Sequence, residues 1–143
     1  MALSHFAWSA DLKTVHIKDV NGLIEQNRGK VLILNFFATW CPPCREEIPE
    51  LNKVEKTYRG KDVAFYGLSV DEEKNLNSVK DFVRTMKVNY PVYMAGRDLL
   101  LRFGIESIPH IVFYDRTGNM VISQPGQCDA DDLKSVIEDL LGN

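Results

Sequence analysis

Two patterns alternate along the chain: short apolar runs of strand character, and stretches in which apolar residues recur every three or four positions. Val31-Leu32-Ile33-Leu34-Asn35-Phe36-Phe37 is nearly all apolar and β-favouring, which predicts a strand buried on both faces. Downstream, Ile48, Leu51, Val54 and Tyr58 recur at helical spacing, and Gly60 stands where a helix would stop. Val63 to Val70 predicts a second strand, Asp71 to Lys74 a charged exit, and Leu76, Val79, Phe82, Val83 and Met86 one face of a helix. Tyr90 to Met94 reads as a short strand, and Leu99, Leu100 and Phe103 as a short helix ending near Gly104. The turn Asp115-Arg116-Thr117-Gly118 between His110–Tyr114 and Met120–Gln124 predicts a hairpin. Asp129 is placed to cap a last helix with the apolar stripe Leu133, Val136, Ile137, Leu140 and Leu141.

Residues 1–30 carry the weakest pattern. Phe6, Trp8, Val15 and Ile17 predict a short hairpin or edge strand, and Val20, Leu23 and Ile24 a short helix that tolerates Gly22. This N-terminal layer precedes a core over 31–141, within a single domain spanning 1–143. A βαβ half followed by a ββα half predicts an α/β fold whose central mixed sheet is covered by helices on both faces. No internal repeat, low-complexity tract or linker interrupts it.

Composition narrows the functional classes. With 143 residues and 45% hydrophobic content, the chain suits one core that needs no staples. A formal charge of −3 gives no sign of the basic surface that nucleic acid or an anionic membrane requires, so proteins or small molecules are the expected partners of a monomer. No apolar run approaches the roughly 18 to 20 residues that span a bilayer. Met1 to Ala10 lacks the charged start and apolar core of a signal peptide. Three cysteines provide no framework of structural disulfides.

The chemistry concentrates in Trp40-Cys41-Pro42-Pro43-Cys44-Arg45, where the buried strand hands over to a helix. A helix's first turn presents unpaired N–H groups and the positive end of its dipole, both of which favour an anion. A thiolate is that anion, and it is the form that attacks a disulfide. Cys41, at the very start of the helix, is the expected attacking residue, and Cys44, one turn further in, the resolving one. Pro42 and Pro43 contribute no N–H. Thiolate stabilisation therefore falls on the Cys44 thiol and N–H, the helix dipole and Arg45. The competing reading is half of a zinc site, but a structural site needs four ligands, and the remaining Cys128, His5, His16 and His110 form no second pair. Cys128 reads as a small buried hydrophobe, with a place beside Cys41 as the alternative. His110 is either a tuner of the cysteines or a partly buried strand residue.

Leu34-Asn35-Phe36-Phe37-Ala38-Thr39-Trp40-Cys41-Pro42-Pro43-Cys44-Arg45-Glu46-Glu47 with Pro49, Leu68-Ser69-Val70-Asp71-Glu72, and Gly104-Ile105-Glu106-Ser107-Ile108-Pro109 together resemble the TlpA/ResA-like thiol-disulfide oxidoreductases of the thioredoxin superfamily. The resemblance covers roughly residues 30 to 141. It implies a thioredoxin fold with an N-terminal extension, a Cys41–Cys44 dithiol/disulfide that needs no cofactor and no metal, and substrates that are disulfides in other proteins, with the chain acting as reductant and a redox partner protein renewing it. It also implies a cis-proline at Pro109, a docking surface bordered by Trp40 and Ile108, and an active-site glutamate at Glu72, desolvated near the thiols. An extracytoplasmic setting, periplasmic or membrane-tethered, follows from the resemblance, and a cytoplasmic one from Met1 as a native start. Three departures stand out: Asn35 where thioredoxin has a buried Asp, His110 where a Thr is usual after the cis-proline, and no visible export signal. Two rival functions remain. A peroxiredoxin-type peroxidase would need Pro and Thr where Leu34 and Ala38 stand, and an intact Cys-Pro-Pro-Cys argues against a non-catalytic metal-binding or adaptor module.

Overall fold

In the computed structural model, which describes residues 12–142, one six-stranded sheet has the order β1-β4-β3-β2-β5-β6. The strands are β1 (Thr14–Val15), β2 (Val31–Phe37), β3 (Val63–Ser69), β4 (Val92–Ala95), β5 (His110–Tyr114) and β6 (Met120–Pro125). The helices are α1 (Ile17–Gln26), α2 (Pro42–Tyr58), α3 (Leu76–Thr85), α4 (Arg97–Phe103) and α5 (Ala130–Leu141), with a 3-10 turn at Glu73–Asn75 before α3. The neighbours β1, β4, β3 and β2 pair in parallel, whereas β5 and β6 add on as antiparallel strands. This is the mixed α/β sheet expected from the pattern.

β2 is central and every one of its residues is buried. Because side chains alternate across a strand, its two faces feed two separate cores. Val31, Ile33 and Phe37 pack with Ile48, Leu51 and Val54 of α2, Val79 and Phe82 of α3, and Leu133 and Ile137 of α5. Leu32, Leu34 and Phe36 pack with Val20 of α1 and Leu99 of α4. Asn35 shares the parity of the first set, so a lone amide sits in the layer under α2. Gly67 lies opposite it on β3, where a Cβ would meet the Tyr90 and Phe37 rings and Val92 at 3.2–3.3 Å. The absence of a side chain there lets Tyr90 close over Asn35's neighbourhood.

Two details differ from the expectations. Of the two forms expected there Val15 takes the edge strand, parallel to β4, but Ile17 leaves it and opens α1, after His16 caps it with Asp19. Tyr90 and Pro91 precede β4 instead of joining it. Proline has no N–H for a ladder, and the Pro91 carbonyl instead accepts from Gly67 N–H at 2.8 Å. Expectations for His5, Phe6 and Trp8 lie outside the described residues.

Candidate active site

β2 ends at Phe37, and the chain reaches α2 through Ala38, Thr39 and Trp40, which delivers both cysteines to the C-terminal edge of the sheet. Cys41 is the N-cap of α2, with extended backbone angles, and Cys44 lies one turn inside. The two form a disulfide with Cα atoms 5.3 Å apart. Cys44 N–H donates to Cys41 Sγ at 3.3 Å, and the Ile108 carbonyl oxygen lies 3.8 Å from the same sulfur. Cys41 is 4% exposed and Cys44 fully buried. Arg45 does not serve the sulfur. Its Nε and Nη2 donate to the Thr39 carbonyl at 3.2 and 2.9 Å, and its guanidinium lies 5.1 Å from the centre of the Phe82 ring.

Trp40, 67% exposed, borders a groove of about 410 Å³ that also takes in Val70, Leu100, Ile105 and Ile108. The Ile108–Pro109 peptide is cis, and the Pro109 carbonyl accepts from Gly126 N–H at 2.8 Å. Trp40, Ile108 and Pro109 are thus brought to the cysteines. Glu72 is not. The expectation that it is desolvated near the thiols is corrected: its side chain is 74% exposed and pairs with Lys74 Nζ at 3.7 Å. It stands outside the start of the 3-10 turn, where the chain leaves β3 toward solvent.

The carboxylate buried on the cysteine helix is Glu47. It is 0% exposed and occupies the inner face of α2 with Cys44, Ile48 and Leu51. Its Oε2 accepts from Cys128 N–H at 2.8 Å, while Oε1 and both polar atoms of Asn35 have no hydrogen-bond partner among the described residues. Desolvation pushes the Glu47 carboxyl up to about 7, against the opposing pull of the Cys128 N–H. A charge on Glu47 in turn adds to the burial that raises the Tyr90 phenol. The signal was present in the sequence: Glu47 falls at helical spacing between Cys44 and Leu51, a charged residue on an otherwise apolar stripe.

Cys128 is half-buried against the α2 core, and burial together with Glu47, Asp132 and Asp129 pushes its thiol up to about 11. His110 points the other way. It lies opposite Phe36 in the β2–β5 register, meets that ring edge-on at 6.3 Å, and contacts Ser123 Oγ through Nε2 at 2.8 Å. Directly paired residues share a face, so the imidazole belongs to the layer of α1 and α4, away from Cys44. Burial lowers its pKa. Among the described residues no three His, Cys, Asp or Glu side chains group as a metal site requires, and no helix is long and apolar enough to cross a membrane.

The family model described as AhpC/TSA matches residues 4–122. The chain belongs to the AhpC/TSA family. Thiol-disulfide oxidoreductase ResA of Bacillus thuringiensis subsp. konkukian (strain 97-27) is 28% identical over 127 residues, covering 88% of this chain and 68% of ResA. Sporulation thiol-disulfide oxidoreductase A of Bacillus subtilis (strain 168) is 26% identical over 130 residues, covering 90% and 77%. A crystal structure of a thiol:disulfide interchange protein, a thioredoxin family protein from Chlorobium tepidum TLS, superposes with a TM-score of 0.76 at 36% identity, covering 82% of this chain and 84% of that one. Within the family this is a TlpA/ResA-like member of the thioredoxin superfamily and a thiol-disulfide oxidoreductase acting on protein disulfides.

Proposed function

We propose that the chain works as a reductant, with Cys41 attacking, Cys44 resolving and Glu47 moving the proton of Cys44. The Cys41 thiolate attacks one sulfur of a substrate disulfide, forms a mixed disulfide and releases one substrate thiolate. Cys44 then gives its proton to Glu47 and attacks the Cys41 sulfur. The Cys41–Cys44 disulfide forms and the second substrate thiolate leaves, to be protonated. Two electrons have passed to the substrate, and a redox partner protein must return two to the oxidised pair. A carboxyl held near pH 7 is suited to this, because at working pH it is populated in both the accepting and the donating form.

The observation that carries the direction is the poverty of thiolate stabilisation. Pro42 and Pro43 bring no N–H, Arg45 is turned to the Thr39 carbonyl, and a carboxylate lies one helical turn beyond Cys44. Weak thiolate stabilisation favours the disulfide over the dithiol, which makes a reducing centre. An extended substrate segment docks along Trp40 and Ile108, with pairing on the Ile108 side of Pro109, since the Pro109 carbonyl is taken by Gly126. The setting proposed is extracytoplasmic, which rests on the TlpA/ResA-like resemblance alone. The peroxidase alternative lacks the Pro and Thr positions, held here by Leu34 and Ala38.

The test is a trapping assay joined to a redox titration. Cys44→Ser should accumulate mixed disulfides with a protein substrate, Cys41→Ser should accumulate none, and the wild-type pair should equilibrate on the reducing side of glutathione. Equal trapping by both variants, or a potential on the oxidising side, overturns the assignment.

A further inference from the structure

The chain leaving β3 carries a second acid, Asp71, which is buried and turned back toward the site. Its Oδ2 accepts from Thr39 N–H at 3.0 Å and from the Ser69 hydroxyl at 2.7 Å, and its Oδ1 accepts from the Thr39 hydroxyl at 2.8 Å. Asp71 N–H closes the turn by donating to Ser69 Oγ at 3.0 Å. On the far side of the same residue, the Thr39 carbonyl receives the Arg45 guanidinium. Thr39 is therefore held at its N–H, its hydroxyl and its carbonyl, by groups from two different elements. A carboxylate with several donors is the strong form of such a contact, and a lost partner leaves buried donors unsatisfied.

The next residue in the chain, Trp40, gives this grip its purpose. Trp40 stands as a fin between the apolar groove beside Ile108 and a second, polar groove lined by Thr39, Arg45, Ser78, Asp81 and Phe82. Because the indole is mostly exposed, little packing holds it, and its place is set by the backbone on either side. One of those sides is Cys41, already fixed as the cap of α2. The other is Thr39. We propose that Asp71 is a positioning residue for thiol-disulfide exchange: by gripping Thr39 it fixes Trp40 in the place where a protein substrate meets Cys41. This rests on the reading of Cys41–Cys44 as the reacting pair. It goes beyond that reading by assigning recognition of protein disulfides, as against small ones, to a residue that touches neither sulfur.

The experiment uses the full chain in a Trp8→Phe background, so that Trp40 is the single tryptophan fluorophore. Reduced Asp71→Ala, Thr39→Val and Thr39→Ser are assayed well below each variant's Tm against a protein disulfide and a small aromatic disulfide, and Trp40 anisotropy is recorded. Asp71→Ala should lose about tenfold in kcat/KM for the protein substrate, less than about threefold for the small one, and show lower anisotropy. Thr39→Val, which keeps the N–H contact, should lose less, and Thr39→Ser should behave as wild type because it retains the hydroxyl. Should Asp71→Ala not fold, the Thr39 pair carries the test. A lowered Tm with unchanged rates and anisotropy would make Asp71 a purely structural residue, and equal losses on both substrates would move its effect to the cysteines; either overturns the proposal. Absence of exchange by the Trp8→Phe parent would instead count against the Cys41–Cys44 reading itself.

Discussion

The two layers that cover the sheet make a controlled comparison, because one strand supplies both. On the side of α1 and α4, β2 presents Leu32, Leu34 and Phe36, and the buried imidazole is His110. On the side of α2 and α5 it presents Val31, Ile33, Asn35 and Phe37, and the buried carboxyl beside Cys44 is Glu47. Burial acts on the two groups in the same sense. It lowers the imidazole and raises the carboxyl, so each is pushed toward its neutral form. A perturbed pKa therefore does not by itself identify the working group. What separates them is the element that carries each one. Glu47 rides on the same helix face as Cys44, whereas His110 hangs below the sheet against Phe36 and Ser123.

The sharpest way to break that comparison is kinetic. Glu47→Gln should lower disulfide-exchange rates at neutral pH by about ten- to a hundredfold, since it removes the group that takes the Cys44 proton while keeping its shape. His110→Gln should stay within about twofold of wild type in the same stopped-flow assay. Comparable losses would mean that the sheet does not insulate the two layers.

Stability against pH sharpens the same contrast from the other direction. The folded state keeps the Glu47 carboxyl protonated up to about pH 7, whereas an unburied glutamate titrates at 4.5, so over that window the native state binds more protons and loses stability as pH rises. Urea unfolding should show Glu47→Gln gaining on wild type between pH 4.5 and 7, by no more than about 3 kcal/mol, and level above. His110 has the opposite sign. Its folded pKa is depressed, so its stabilising effect is present above the unfolded value and fades as pH falls below it. His110→Gln should remove that acid-side loss, a smaller effect read by the same titration.

The smallest expected change is at Cys128. Its backbone N–H, not its sulfur, serves Glu47, and the thiol is pushed up to about 11. Cys128→Ser should leave turnover within about twofold of wild type, and the wild-type thiol should alkylate slowly at pH 8. A large loss of activity would make it a working thiol.

Much of this was legible in the sequence. The all-apolar run of β2, the helical stripe of α2 and the paired cysteines between them place the reaction at the right edge of the sheet, and Asp129 does cap α5, accepting from Asp132 N–H at 2.8 Å. The choice among acids was not legible in the same way. Asp71, Glu72 and Glu73 follow a strand end and Glu46 and Glu47 follow the cysteines, and charged runs of both kinds usually face solvent. Which member turns inward depends on helix phase and on a turn's hydrogen bonds. Phase could have singled out Glu47, but the Asp71–Thr39 bonds join residues far apart in the chain and have no sequence signature. β1 was hard to read for another reason: Thr14–Val15 is too short to carry a periodicity, and β4 is what orders it.

The central claim is that Glu47, and not Glu72, follows the proton of Cys44. The direct measurement is the pH dependence, from pH 5 to 9, of the rate at which a preformed Cys41 mixed disulfide is resolved by Cys44, in wild type, Glu47→Gln and Glu72→Gln. Wild type and Glu72→Gln should share an inflection near pH 7, and Glu47→Gln should lose it. An inflection that survives in Glu47→Gln, or that disappears in Glu72→Gln, would contradict that claim.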